Sequence, residues 1–194
     1  MAVARTKIQT ARAILPEGVS IRMATVGDAA MLARQRTTFL RELRPRPDPV
    51  ALEPANRSYF RRAIASGQCR VWLAVADGAV IATSALAFYE RAPSRRNPSG
   101  RDSYLFCMYT VPTWRHRGVG RALLIETIRH ARAAGVTRIG LHTTAAGRGM
   151  YERAGFAFTD TEMELRIDRA RGQPRTRPSQ ARDHDVRSRR TEPR

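Results

Sequence analysis

The chain has 194 residues, 42% of them hydrophobic, and a formal net charge of +18. That length suits one domain with a core of its own, and no apolar stretch reaches the roughly 18 residues that span a bilayer. The excess charge is almost all arginine, with Lys7 the one lysine. It suits an acidic partner, such as nucleic acid or a polyanionic cofactor, and equally a solvated arginine-rich surface.

The opening MAVARTKIQTARAILPEGV has a basic start but no apolar block of about 7–15 residues, so a secretory signal is not expected. Cys69 and Cys107 fall on or beside separate expected strands without metal-ligand spacing. They read as buried reduced thiols. These features point to a cytoplasmic chain with no membrane partner and no metal.

Residues 1–18 show no sustained period and read as a flexible leader. Residues 19–23 alternate as a short strand does, Thr25 and Asp28 resemble a capping pair, and 29–43 has helical spacing. The segment RPRPDP at 44–49 breaks that helix. A second helix follows Pro54 and runs to Ser66, stopped by Gly67. Val71, Leu73 and Val75 then alternate with Trp72 and Ala74, Asp77-Gly78 supplies a tight turn, and 80–89 returns as the other arm of a hairpin. RAPSRRNPSGRD at 91–102 is a polar loop. A strand over 104–111 leads to the main helix, 118–134, which Gly135 ends. A strand over 137–143, a short helix over 147–154 and a closing strand over 156–167 complete the domain. From Asp168 the chain has no aromatic residue, and nine arginines face four acids. Such a composition cannot offset its ordering entropy, so 168–194 reads as a disordered Arg-rich tail. It is also the part suited to weak nucleic-acid contact. The order βααβββαβαβ is α/β or α+β with one mixed sheet.

The stretch YTVPTWRHRGVGR at 109–121 carries the most chemistry. A strand halted by Pro112, a basic glycine turn and a helix start together make an anion site. The first amides of a helix lack internal partners and lie at the positive end of its dipole. Gly118 and Gly120 admit a phosphate to the backbone, and Arg115 and Arg117 add charge-assisted hydrogen bonds. A Walker loop requires a Gly-Lys pair, which is absent. A dinucleotide fingerprint requires glycine or alanine where Leu123 stands.

Arg115-x-x-Gly118-x-Gly120 after a strand ending in Val111-Pro112 resembles the acetyl-CoA signature of the GNAT superfamily of N-acetyltransferases. LHTTAAGRGMYERAGF at 141–156 is similar to that superfamily's second cofactor segment, with Tyr151 four residues before Gly155-Phe156. IRMATVGD at 21–28 looks like its first strand and helix start. The resemblance covers about residues 19–167, read as the N-acetyltransferase domain. It implies a GNAT-like mixed, mostly antiparallel central sheet flanked by helices.

The resemblance also implies a reaction, acetyl transfer from acetyl-CoA to a primary amine by direct attack on the thioester. Pantetheine would run along Tyr109, Thr110 and Val111. The pyrophosphate would sit on the amides of His116, Arg117, Gly118, Val119, Gly120 and Arg121, beside Arg115. Thr144 and Gly147 stand where many members carry asparagine and alanine, so Thr144 offers a hydroxyl in place of an amide. The backbone N–H of Met108 or Tyr109 resembles the usual oxyanion donor. Tyr151, protonated at neutral pH, is the candidate general acid for the departing thiolate.

The strand itself holds no acid, which leaves Glu90, Asp102 and His142 as candidate bases. His116 faces solvent or phosphate. The acceptor pocket is expected from the first two helices and loop 91–102. A small-molecule amine, a peptide N-terminus and a protein lysine all remain open as acceptors, and a homodimer is compatible with the resemblance. The competing readings are an Arg-rich nucleic-acid-binding module and a non-catalytic acyl-CoA-binding protein of the same fold.

Overall fold

The computed structural model describes residues 14–43, 51–95 and 97–159, together with 163 and 165. Residues 1–13 of the expected leader over 1–18 and the tail over 168–194 lie outside the described residues, as does most of the expected closing strand.

Among the described residues five strands form one sheet in sequence order: β1 (Val19–Met23), β2 (Cys69–Ala76), β3 (Ala79–Glu90), β4 (Arg101–Thr110) and β5 (Ile139–Gly140). β1 to β4 are antiparallel neighbours, and β4–β5 is parallel. The helices are α1 (Ala29–Leu43), α2 (Leu52–Ala65), α3 (Val119–Ala133) and α4 (Ala145–Arg153). This is the mixed, mostly antiparallel sheet flanked by helices that the sequence led us to expect.

Period-2 alternation in β2 sorts the core into two layers. Trp72, Ala74 and Ala76 face one side, where Leu123, Leu124 and Ile128 of α3 cover them. Val71 and Leu73 face the other, under Leu32 of α1 and Phe60 and Ala63 of α2. Asp77 and Gly78 both have positive φ, 48° and 75°, the geometry of the Asp-Gly hairpin turn. At the start of α1 the Asp28 carboxylate accepts from the Thr25 amide at 2.7 Å and from the Arg22 guanidinium at 2.8 Å. Pro54 sits inside the first turn of α2 rather than before it, where its missing N–H has no intrahelical partner to lose.

Two strands differ from expectation. β5 is confined to Ile139–Gly140 within the expected 137–143, because it pairs with β4 only at Ser103 and Tyr104. Residues 156–159 are not in a strand. Their alternating pattern supplies a face, but a strand also needs a hydrogen-bonding edge, and among the described residues none pairs with them.

β4 carries the irregularity that shapes the site. Its register against β3 slips between Thr83↔Tyr109 and Ala85↔Phe106, so β4 holds one extra residue there. Cys107 takes φ 51°, and the Thr83 hydroxyl donates to its carbonyl at 2.9 Å. Alternation fails at this bulge. Phe106 and Cys107 both face the α1–α2 layer, while Leu105 and Met108 face α3. A bulge bends its strand and re-aims the side chains beyond it.

Candidate active site

β4 and β5 part after two paired residues, and the gap opens into a cleft of about 1550 Å³. That exceeds the roughly 300–1000 Å³ of a single small-ligand pocket, leaving room for more than one small ligand. β4 forms the floor, the start of α3 one wall, α4 a second and the C-terminal half of α1 a third.

The floor presents unpaired backbone. Val111 donates its amide to Ile81 O at 2.9 Å, and Tyr109 pairs with Thr83. Backbone groups alternate sides along an antiparallel strand, so the amides of Met108 and Thr110 face away from β3. The Thr110 carbonyl, on that same outer edge, accepts from Arg115 Nε at 3.0 Å.

Three residues of turn end in Gly118, whose φ of 82° lies in the left-handed region. Only glycine enters that region without a steric penalty, and from it the chain turns directly into α3. No side chain caps α3, so the amides of its first turn lack protein partners and are available to an anion. Gly120 has no such positive φ. A Cβ there would meet Thr110 Oγ1 at 3.5 Å, an ordinary contact.

The basic side chains of the turn are already engaged. Arg115 Nη2 donates to Glu42 at 2.7 Å, and Glu42 also accepts from the Tyr109 hydroxyl at 2.7 Å. The Tyr109 bond, more than Arg115, holds the Glu42 carboxyl below its usual range against a smaller opposing effect of burial. Arg117 lies 5.1 Å over the Trp114 ring. His116, with φ 61°, and Arg121 line the cleft as well.

α4 brings Tyr151 to the opposite wall. Gly155, at φ 90°, reverses the chain, so the Phe156 amide donates to Tyr151 O at 3.0 Å and its ring meets the Tyr151 ring edge-on at 5.7 Å. This packing is the physical content of the Tyr-x-x-x-Gly-Phe spacing. The Tyr151 side chain is buried, and burial pushes its hydroxyl up to about 12. Among the described residues that hydroxyl has no hydrogen-bond partner. Thr144 accepts from the Gly147 amide at 3.1 Å as the N-cap of α4. Its hydroxyl proton remains available.

The candidate bases separate by position. His142 lines the cleft, with Nδ1 against the Tyr104 hydroxyl. Glu90 ends β3 opposite Arg101 and does not line the cleft. Asp102 is buried between Arg91, Arg138 and Asn97, also away from it. Among the described residues, loop 91–102 and α2 contribute no lining residue either. The reason is topological: the loop joins the end of β3 to the start of β4, whereas the cleft opens along the later residues of β4. α1 does line it, through Arg36, Phe39, Glu42 and Leu43. Those residues recur at helical spacing on one face.

Sequence reasoning did not single out the Glu42–Tyr109–Arg115 cluster. Among the described residues no cluster of three or more metal-type ligands occurs, and no helix is long and apolar enough to cross a membrane.

An open parallel strand pair beside an uncapped, glycine-rich helix start makes an extended cleft with an anion-accepting end. Residues 37–156 match the acetyltransferase (GNAT) family, and the chain belongs to that family. A predicted acetyltransferase of Clostridium acetobutylicum, solved with acetyl-CoA, is 29% identical, with a TM-score of 0.73 over 76% of this chain and 96% of that one. A GCN5-related N-acetyltransferase of Ralstonia eutropha is 27% identical, with a TM-score of 0.70 over 77% and 99%. Glucosamine 6-phosphate N-acetyltransferase 1 of Oryza sativa subsp. japonica is 27% identical over 121 residues, 61% of this chain and 72% of that protein.

Proposed function

We propose that this chain is an acetyl-CoA-dependent N-acetyltransferase that passes the acetyl group to a primary amine by direct attack on the thioester. The observation that carries this reading is one cleft holding both an uncapped α3 start and the unpartnered Tyr151 hydroxyl. The C. acetobutylicum relative, with acetyl-CoA in its structure, supports the choice of cosubstrate. The rice relative's acceptor is an amino sugar phosphate, which supports a small-molecule amine here.

In this reading the pyrophosphate takes the free amides of the α3 first turn, and the pantetheine follows the open edge of β4. The neutral amine forms a bond to the thioester carbon. The oxyanion is held by the Met108 amide, since strand alternation turns that N–H outward and the Tyr109 N–H toward β3. The C–S bond then breaks, and the sulfur takes the Tyr151 proton. A phenol held at about 12 remains protonated at neutral pH, as a general acid must. The surplus amine proton leaves through His142, the one candidate base lining the cleft, and Tyr151 is reprotonated.

The test is calorimetry with acetyl-CoA, followed by an amine screen reading free CoA, with Gly120→Glu as the blocked-site control. Saturable binding and amine-dependent CoA release that Gly120→Glu abolishes are expected. No heat at millimolar acetyl-CoA sinks the reading. Binding without release for any amine reduces the chain to an acyl-CoA-binding protein.

A further inference from the structure

Arg36 is the feature of the cleft that acetyl transfer does not use. It projects from the middle of α1, is half-buried and lines the cleft beside Phe39 and Cys107. Three elements fix its guanidinium. Nε donates to Asn56 Oδ1 of α2 at 3.1 Å, and Nη1 donates to Cys107 Sγ at the β4 bulge at 3.1 Å. The Phe106 ring lies 5.5 Å beneath Cζ.

None of these partners carries a balancing charge. Asn56 is neutral, and burial pushes the Cys107 thiol up, against the opposing pull of Arg36, so the thiol stays protonated at neutral pH. Among the described residues Arg36 has no carboxylate partner, and Nη2 makes no hydrogen bond. Its neighbour Gln35 carries a buried Oε1 without a partner, and Asn56 a buried Nδ2 without one. A void of about 10 Å³ is lined by Gln35, Arg36, Cys107 and Tyr109 among others. A half-buried cation without a counter-charge is costly to hold in place. A fixed guanidinium with one free edge is the geometry that accepts an anionic oxygen.

The position assigns the anion to the acceptor. The α3 start that suits the cosubstrate's phosphates lies on one side of β4, and Arg36 lies on the other, in the α1–α2 layer. A second substrate reaching the thioester from the α1 side passes Arg36. The other charged group that α1 gives the cleft, Glu42, is already held by Tyr109 and Arg115.

Resting on the acetyltransferase reading above, we propose that the acceptor is an amine that also carries an anionic group, a carboxylate or a phosphate, and that Arg36 binds that group. Arg36 is then the residue that sets acceptor specificity. It takes no part in the chemical step.

The experiment uses matched acceptors on the full chain: glucosamine 6-phosphate against glucosamine, and 5-aminopentanoate against its carboxamide. Turnover is read as CoA release, and binding to the enzyme–CoA complex by calorimetry. The anionic member of at least one pair is expected to bind and react about 10-fold to 100-fold better, and whichever pair shows the preference names phosphate or carboxylate. Arg36→Gln should erase that preference through KM for the acceptor, with kcat and the acetyl-CoA KM little changed. Arg36→Lys should retain part of it, and its melting temperature serves as the folding control. Equal binding of both members in every pair, or a preference that survives Arg36→Gln, overturns the proposal while acetyl-CoA binding leaves the acetyltransferase reading standing. Failure to bind acetyl-CoA overturns both.

Discussion

Arg115 donates to the Glu42 carboxylate at 2.7 Å across 73 residues of sequence. The first cation of the glycine motif is therefore tied to the end of α1, and the same side chain reaches the Thr110 carbonyl at the end of β4. It joins two walls of the cleft. Both partners are more than a third exposed, at 42% and 39%, so solvent screens the pair. A double-mutant cycle of Glu42→Gln and Arg115→Gln, read by urea unfolding, should give a coupling under about 1 kcal/mol. A coupling of several kcal/mol would contradict this picture.

Gly118 and Gly120 should respond differently to alanine. At φ 82° a side chain on Gly118 is strained, and Gly118→Ala should lose about 1–2 kcal/mol of stability. Gly120 is helical, and its added methyl meets Thr110 Oγ1 at 3.5 Å and Met150 Sδ at 3.8 Å, both ordinary contacts. Gly120→Ala should therefore keep the stability or raise it by about 0.5–1 kcal/mol, yet weaken acetyl-CoA binding because the methyl crowds the anion site. Thermal melts and calorimetry on both variants separate a conformational glycine from a ligand-facing one.

Tyr151→Phe keeps the ring contact with Phe156 and removes only the hydroxyl. It should reduce kcat by about 10-fold to 100-fold, at or below the usual contribution of a general acid, because a thiolate leaves readily. The acetyl-CoA KM should hardly change. His142→Gln should lower kcat as well, whereas Glu90→Gln, outside the cleft, should leave it within about twofold. Full activity of Tyr151→Phe under saturation removes that residue from proton transfer.

Both cysteines are free and buried. Burial pushes the Cys69 thiol up to about 12, as it does the Tyr151 hydroxyl. Both groups fold in their neutral forms, with values raised above the ordinary 9.0 and 10.0. Their contribution to stability is whole below those ordinary values and disappears as pH rises toward 12. Urea midpoints should be flat to about pH 8.5 and fall above it, with a shallower fall for Tyr151→Phe. A thiol reagent at neutral pH should label neither cysteine until the chain is unfolded.

Asp28 gives the opposite dependence. The Arg22 guanidinium, ahead of the Thr25 amide, brings its carboxyl down to about 2 from 3.8. Its contribution is present above the ordinary value and lost as pH falls toward 2. Asp28→Ala should cost about 1–2 kcal/mol at pH 7, and the difference from the parent chain should shrink below about pH 4 and vanish only below pH 2 in acid unfolding curves.

Local rules account for much of what was legible in the sequence. Asp77-Gly78 set a hairpin because both residues tolerate positive φ, and the 3.6-residue spacing over Ala29–Leu43 gave α1 its bounds. The pairing of Arg115-x-x-Gly118-x-Gly120 with Tyr151 and Gly155-Phe156 pointed to the family. Each of those local patterns spans no more than the 15 residues of α1. The expected closing strand and the acceptor role of loop 91–102 were long-range inferences. The first depended on a partner edge, and the second on which end of β4 the cleft would occupy. Neither is encoded in the segment concerned.

The amino-acid sequence by itself determined the glycine turn before α3, the tyrosine that comes after it and the order of strands and helices, because each arises from short-range periodicity and glycine conformation. Tertiary structure alone decided three things: that Cys107 bulges out of register, that β4 and β5 separate after Tyr104, and that α1 delivers Arg36 and Glu42 to the gap. Strand register and helix docking are cooperative properties of the whole sheet. They brought residues tens of positions apart into hydrogen-bonding contact, and no local pattern records them.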